Sequence, residues 1–244
     1  MRPLIVIPAR LAATRLPGKP LAQIGDAPMI VHVLRRAQEA NLGPVLVACD
    51  AEEIASAVRD AGGQAILTNP AHPSGSDRIW EAVQKFDPSA THDIIINLQG
   101  DVPTLEPQLL KSLLAPLENL AVDISTLVTP ITRADEHTNP AVVKAILAQP
   151  EGVAHPRALY FTRATAPTGE GPRYHHIGVY GYRRAALERF VALPPSPLEK
   201  REKLEQLRAL EHGLRIDVAV VDTMPLGVDT PEDLARARVL LQEK

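Results

Sequence analysis

Cysteine and aromatic side chains are scarce in this sequence. The single cysteine, Cys49, excludes an intrachain disulfide and any zinc or catalytic cluster built from thiols. It ends the apolar run Val45 to Cys49, where a free cysteine reads as a small core residue. With aromatics at only 3%, the core must rest on Leu, Val, Ile and Ala, and there are few rings on which bases could stack. A large excess of positive charge is missing too. The formal net charge is −3, which argues against a nucleic-acid partner while leaving room for a local basic pocket. No apolar run is long enough to span a membrane, and the stretch Met1 to Pro8 is too short for a signal-peptide core. The chain is therefore expected to be cytoplasmic, with no membrane insertion. Internal repeats, low-complexity linkers and coiled-coil heptads are absent as well.

What remains is ordinary globular composition over 244 residues, 45% of them hydrophobic, enough for one large α/β domain with a subdomain. Short apolar runs at Leu4 to Ile7, Val45 to Ala48, Ala65 to Thr68 and Ile94 to Leu98 read as strands. Between them lie helical patterns at Pro28 to Ala40, Glu52 to Ala61 and Asp77 to Phe86, each with an apolar stripe. Continuous apolar strands alternating with amphipathic helices predict a mainly parallel sheet covered on both faces. In such sheets ligands bind beyond the carboxyl ends of the strands. Between about 120 and 190 the pattern changes. Ile124 to Ile131, Val142 to Leu147, Ala158 to Phe161 and Ile177 to Tyr182 read as strands with little helix between them, which predicts an antiparallel insertion or dimerisation subdomain. Glu199 to Glu211 reads as one helix and Ile216 to Val221 as a strand. A last helix, Pro231 to Leu241, is capped by Thr230 with Asp233 in capping-box position.

The chemistry concentrates in the loops. After the first strand comes Pro8-Ala9-Arg10, and within ten residues Arg10, Arg15 and Lys19 supply three cations. Arginine forks and a lysine point charge suit a polyphosphate. The spacing fits neither a Walker P-loop nor a dinucleotide GxGxxG motif, and an exposed basic loop is the plain alternative. After the fourth strand, Gln99-Gly100-Asp101 places a carboxylate where a hard cation could sit, although a lone Asp there is also a common turn residue. Asp229, in Gly227-Val228-Asp229-Thr230-Pro231, is either a turn residue or a second metal ligand, and sequence spacing cannot choose. Ser74, Ser76 and Asp77 are plausible helix caps. Arg78 in that helix's first turn opposes the dipole, a conflict that a bound anion would relieve. His176, Gly178, Tyr180 and Tyr182 alternate onto one strand face, suited to a hydroxyl-rich ligand or simply to a half-buried sheet. A zinc site at the His175-His176 pair lacks further ligands nearby.

These stretches resemble the 3-deoxy-manno-octulosonate (Kdo) cytidylyltransferase family, also called CMP-Kdo synthetases. The resemblance is carried by Ile7-Pro-Ala-Arg10, Thr14-Arg-Leu-Pro-Gly-Lys-Pro-Leu21, Ser74-Gly75 with Arg78, Gln99-Gly-Asp101, Tyr160-Phe-Thr-Arg-Ala164, His176-Ile-Gly-Val-Tyr-Gly-Tyr182, Leu204-Glu-Gln-Leu-Arg208 and Val228-Asp-Thr-Pro-Glu-Asp-Leu234. They keep the family's order over nearly the whole chain. The resemblance implies a homodimer of the nucleotide-diphospho-sugar transferase fold, a three-layer mainly parallel sheet with a smaller antiparallel subdomain. It implies transfer of CMP from CTP to Kdo, giving CMP-Kdo and pyrophosphate for lipopolysaccharide biosynthesis. It further implies that Arg10 and Lys19 hold the triphosphate, that Asp101 and Asp229 hold Mg2+, and that Pro8, Ala9, Ser74, Arg78 and Gln99 line the nucleotide. Arg15, Arg78, Gln99, Arg163, His176, Tyr180, Glu205 and Gln206 would line the sugar. The sequence departs from the family pattern at Val102, where Glu is usual, in Ser76-Asp77 for Thr-Glu, and in a shortened stretch from Ala166 to Tyr174. An amino-Kdo or a sialic-acid-like acceptor is the alternative within the same chemistry, and a non-catalytic CTP-binding regulator is the alternative outside it.

Overall fold

The computed structural model describes residues 1–12, 16–148 and 152–242, and these form two compact units. The first comprises Met1–Lys111 and Pro225–Lys244. It opens with β1 (Pro3–Ala9), a two-residue hairpin β2 (Gln23–Ile24) and β3 (Ala27–Pro28), and helix α1 (Met29–Glu39). The expected stripe of α1 is fully buried: Ile30, Val33, Leu34 and Ala37. Then follow β4 (Val45–Cys49), α2 (Glu52–Asp60), β5 (Gln64–Leu67), α3 (Gly75–Phe86), β6 (Ile94–Asn97) and α4 (Pro107–Ser112). Helix α2 ends one residue before Ala61, which is exposed rather than part of the stripe.

The strands of this unit lie in the order β5-β4-β1-β6, all parallel. The chain moves outward from β1 through β4 to β5, then returns on the opposite side of β1 as β6. The direction of winding therefore reverses between β1 and β6. At such a reversal the loops leaving the two strands diverge and open a crevice at their carboxyl ends. The loop that starts at Arg10 and the loop that carries Gly100 and Asp101 are those two loops.

The second unit spans Ser112–Met224. Its elements are β7 (Ile124–Pro130), β8 (Lys144–Ala148), β9 (Arg157–Thr162), β10 (Tyr174–Arg183), α5 (Arg184–Ala192), α6 (Pro197–Glu202), α7 (Gln206–Glu211) and β11 (Ile216–Val220). The pairings run β10-β7-β11-β9-β8, and β8 also pairs with β10, so the five strands close into a ring. Closure leaves few unpaired backbone edges. Four of these pairings are antiparallel, but β11 runs parallel to β7, so the arrangement is mixed.

Two expectations for this unit are corrected. The single helix from Glu199 to Glu211 is two helices, because Lys203 adopts a left-handed conformation with φ of 56° and ends α6. Strict alternation along β10 also fails: the register with β7 shifts between Ile177 and Tyr180, a bulge. The chain then returns to the first unit with α8 (Pro231–Gln242). Its cap is as expected. Asp233 Oδ2 accepts from the Thr230 N–H at 3.0 Å, and the Asp233 N–H donates to Thr230 Oγ1 at 3.2 Å.

Candidate active site

A cavity of about 600 Å³ opens at the winding reversal of the first unit. Pro8, Ala9 and Arg10 form the wall that leaves β1, and Gln99, Gly100 and Asp101 form the wall that leaves β6. Lys19 and Asp229 close one side, and Ser74 and Arg78 close another. Every residue the sequence assigned to the nucleotide thus lines one cavity. Arg15 lies outside the described residues.

Three of the lining residues form a charged cluster. Lys19 Nζ donates to Asp101 Oδ2 at 2.7 Å, to Asp229 Oδ1 at 3.1 Å and to the Val228 carbonyl at 3.0 Å. Local geometry produces this convergence. Gly18 has φ of 66°, a left-handed turn that starts the short 3-10 helix Lys19–Leu21 and sets the direction of the lysine. The Val228 N–H donates to the Asp101 carbonyl at 2.8 Å, so the two acid-bearing loops are held by backbone and the side chains need not find each other alone. At Gly100 an added Cβ would sit 2.8 Å from the Pro8 carbonyl oxygen, so any larger residue would push the Asp101 loop off the end of β1. Burial alone would lower the Lys19 pKa, but the charges and hydrogen bonds of Asp101 and Asp229 outweigh it and raise the value. Lys19 is thus held as an ammonium.

Asp233 makes the helix cap, while Asp229 turns its carboxylate to Lys19. No group of three or more His, Cys, Asp or Glu able to hold a metal occurs among the described residues. Two carboxylates and a nearby carbonyl around one cation form an oxygen donor set of the kind Mg2+ uses when substrate phosphates complete its shell.

Ser74 caps α3: its Oγ accepts the Asp77 N–H at 3.3 Å, and its hydroxyl donates to Asp77 Oδ2 at 2.7 Å. Gln99 Nε2 donates to Asn97 Oδ1 at 2.9 Å. Arg78 needs a correction. The conflict with the helix dipole is met inside the protein: its guanidinium donates to Thr68 Oγ1 at 2.6 Å and lies 3.6 Å from the Asp50 carboxylate. Asp50 was not singled out from the sequence, although it follows a strand whose outgoing loop the ligand rule marks. Its Oδ1 accepts the Leu11 N–H at 2.9 Å, so one carboxylate steadies both the residue after Arg10 and the Arg78 head group. His72 also lines the cavity and was not anticipated; its Nε2 is paired with Glu81.

Of the residues assigned to a sugar and found in the second unit, His176, Tyr180 and Gln206 lie together. The His176 ring lies 4.7 Å from that of Phe161 and 5.5 Å from that of Tyr180. Gln206 Nε2 is 3.5 Å from His176 Nδ1. Burial, with the nearby Tyr182 and Glu205, raises the Tyr180 pKa well above its usual value, so the phenol keeps its proton. Arg163 belongs to a neighbouring network. Its guanidinium donates to the Glu202 and Pro140 carbonyls, and the Glu202 carboxylate accepts from the Arg163 N–H and from Thr162.

A cytidylyltransferase family profile matches residues 4–216. The 3-deoxy-manno-octulosonate cytidylyltransferase of Paramagnetospirillum magneticum is 62% identical over 242 residues, covering 99% of this chain and 98% of that protein. That of Rhodopseudomonas palustris is 63% identical over 240 residues, covering 98% of each. Among solved structures, a CMP:2-keto-3-deoxy-manno-octonic acid synthetase complexed with CTP matches with a TM-score of 0.92 at 38% identity, over 100% of this chain and 99% of the other. A cytidylyltransferase from Leptospira borgpetersenii, 16% identical with a TM-score of 0.65 over 100% of this chain and 88% of the other, shares the fold.

Proposed function

We propose that this chain, which belongs to the 3-deoxy-manno-octulosonate cytidylyltransferase family, transfers CMP from CTP to Kdo and releases pyrophosphate. The observation that carries the reading is the convergence of Lys19, Asp101 and Asp229 in the cavity between the loops of β1 and β6. In the reaction the anomeric hydroxyl of Kdo forms a bond to the α-phosphorus in line with the bond to the leaving oxygen. That bond breaks, its electron pair departs with pyrophosphate, and the proton of the attacking hydroxyl is released to water.

The enzyme's own part is positioning and charge stabilisation. Arg10 and Lys19 hold the polyphosphate and stabilise the leaving group, with Pro8, Ala9, Ser74, Arg78 and Gln99 lining the nucleotide. On the second unit Arg163, His176, Tyr180, Glu205 and Gln206 are the groups proposed to contact the sugar, Arg163 through the Kdo carboxylate; Arg15, Arg78 and Gln99 are proposed to join them. Asp101 and Asp229 would hold Mg2+, which when bound would supply positive charge against the phosphates. Three further points follow the same likeness: a three-layer first unit with the second serving dimerisation, a homodimer acting in the cytoplasm, and a product that feeds lipopolysaccharide assembly. No helix among the described residues is long and apolar enough to cross a membrane.

The test is pyrophosphate release with CTP and Mg2+ across Kdo, an amino-Kdo and a sialic acid, with each component omitted in turn. Kdo-dependent release is the expected result. Release with a sialic acid alone would reassign the acceptor, and CTP binding without release would make the chain a regulator.

A further inference from the structure

The second unit contains a hydrogen-bonded chain whose direction can be read atom by atom. Thr126 on β7 is completely buried. Its hydroxyl oxygen lies 2.8 Å from the Val179 carbonyl, 3.2 Å from the Ile177 carbonyl and 2.9 Å from His176 Nε2. The bulge in β10 falls between Ile177 and Tyr180, and both carbonyls reach the same side chain there. Carbonyls only accept, and a hydroxyl has one proton to give. If that proton pointed at the imidazole, two bare oxygens would face each other at 2.8 Å in a buried site. The proton therefore goes to the Val179 carbonyl, and the hydroxyl accepts from His176. Nε2 carries the ring N–H, Nδ1 carries the lone pair, and the Gln206 amide nitrogen faces Nδ1 as donor at 3.5 Å. Burial drives the His176 pKa down to about 3, so the ring is neutral and its two nitrogens have opposite roles.

We infer that Thr126 is a positioning residue for the sugar site: it locks His176 in the Nε2–H tautomer, which turns the Gln206 amide so that its carbonyl oxygen is the end left to accept from a ligand hydroxyl. The role in substrate binding rests on the reading that His176 and Gln206 face the sugar; the tautomer itself does not. Neither Thr126 nor a polarity for Gln206 was visible in the sequence, where Thr126 is one more β-branched residue in an apolar strand.

The experiment is 15N NMR of histidine-labelled full-length protein, for the wild type and the variants Thr126→Val, Thr126→Ser and Gln206→Leu, together with steady-state kinetics. The wild type and Thr126→Ser should show His176 protonated at Nε2 only, and Gln206→Leu should keep that signature because Thr126 sets it. Thr126→Val should mix the tautomers and raise KM for Kdo about five- to tenfold, the value of one lost hydrogen bond, with KM for CTP nearly unchanged. Thr126→Ser should restore the wild-type KM. A wild-type ring protonated at Nδ1 overturns the inference without recourse to any variant, as does Thr126→Val with an unaltered tautomer or an unaltered KM for Kdo. If the wild type releases no pyrophosphate with Kdo, the proposed activity and the sugar role fail together, while the spectrum still reports the direction of the hydrogen bonds.

Discussion

Arg78 shows how a side chain that lines the cavity depends on partners that do not. A guanidinium that is 3% exposed cannot wait for a substrate anion, because an uncompensated buried charge is costly. Asp50 and Thr68 supply the compensation. Replacing Asp50 with Ala should lower stability by about 3–5 kcal/mol, as in removing one partner of a buried pair, and should raise KM for CTP as the residue after Arg10 loses its anchor. Urea unfolding and CTP titration of the rate measure both effects; a stable variant with normal KM would contradict the role given to Asp50. Glu81, next to the cavity residue His72, gives a prediction in pH. Burial opposes its ionisation, but Lys85, the Asn69 N–H and His72 outweigh burial and hold its pKa near 2, below the ordinary 4.5. A depressed carboxylate stabilises the fold above its unfolded pKa and loses that contribution as pH falls toward the folded value. Glu81→Gln should therefore melt lower than the wild type at pH 7, with the gap closing between about pH 5 and pH 2. A gap that persists unchanged at pH 2 would contradict the assignment.

At the scale of elements, legibility followed the strength of local signals. Arg10, Lys19, Asp101 and Asp229 could be picked out because they sit in loops at the ends of uninterrupted apolar strands or just before a capped helix, where polar residues are otherwise unexplained. Asp50 sits in an equally marked loop, yet its partners, the Leu11 N–H and the Arg78 guanidinium, come from distant segments that nothing local in the sequence joins to it. The closed ring of β7–β11 was out of reach, since the β8–β10 pairing joins strands whose sequences say nothing of each other. The break between α6 and α7 was hidden because Lys203, not glycine, takes the left-handed turn. That conformation costs a residue with a Cβ about 1 kcal/mol. Lys203→Gly should therefore stabilise the protein by roughly 0.5–1 kcal/mol, seen as a raised Tm with unchanged kcat. A lowered Tm would mean that the lysine side chain makes a contact worth more than the strain.

For the molecule as a whole, the fold explains why Lys19, Asp101 and Asp229 meet although they are remote in the sequence. A parallel sheet that winds outward from β1 and then reverses places two strand ends side by side, and the return of the chain before α8 brings in the second acid. Backbone bonding of Val228 to Asp101 fixes that meeting before any side chain is considered. Family membership supplies the reaction class, and the cluster is the place proposed for it. The most direct measurement is kcat of Asp101→Asn at saturating CTP, Kdo and Mg2+, with the Kd for Kdo measured on the same preparation. Turnover should fall at least about a hundredfold with Kdo binding little changed; turnover within a fewfold of wild type would contradict the assignment of the Lys19–Asp101–Asp229 cluster as the catalytic centre.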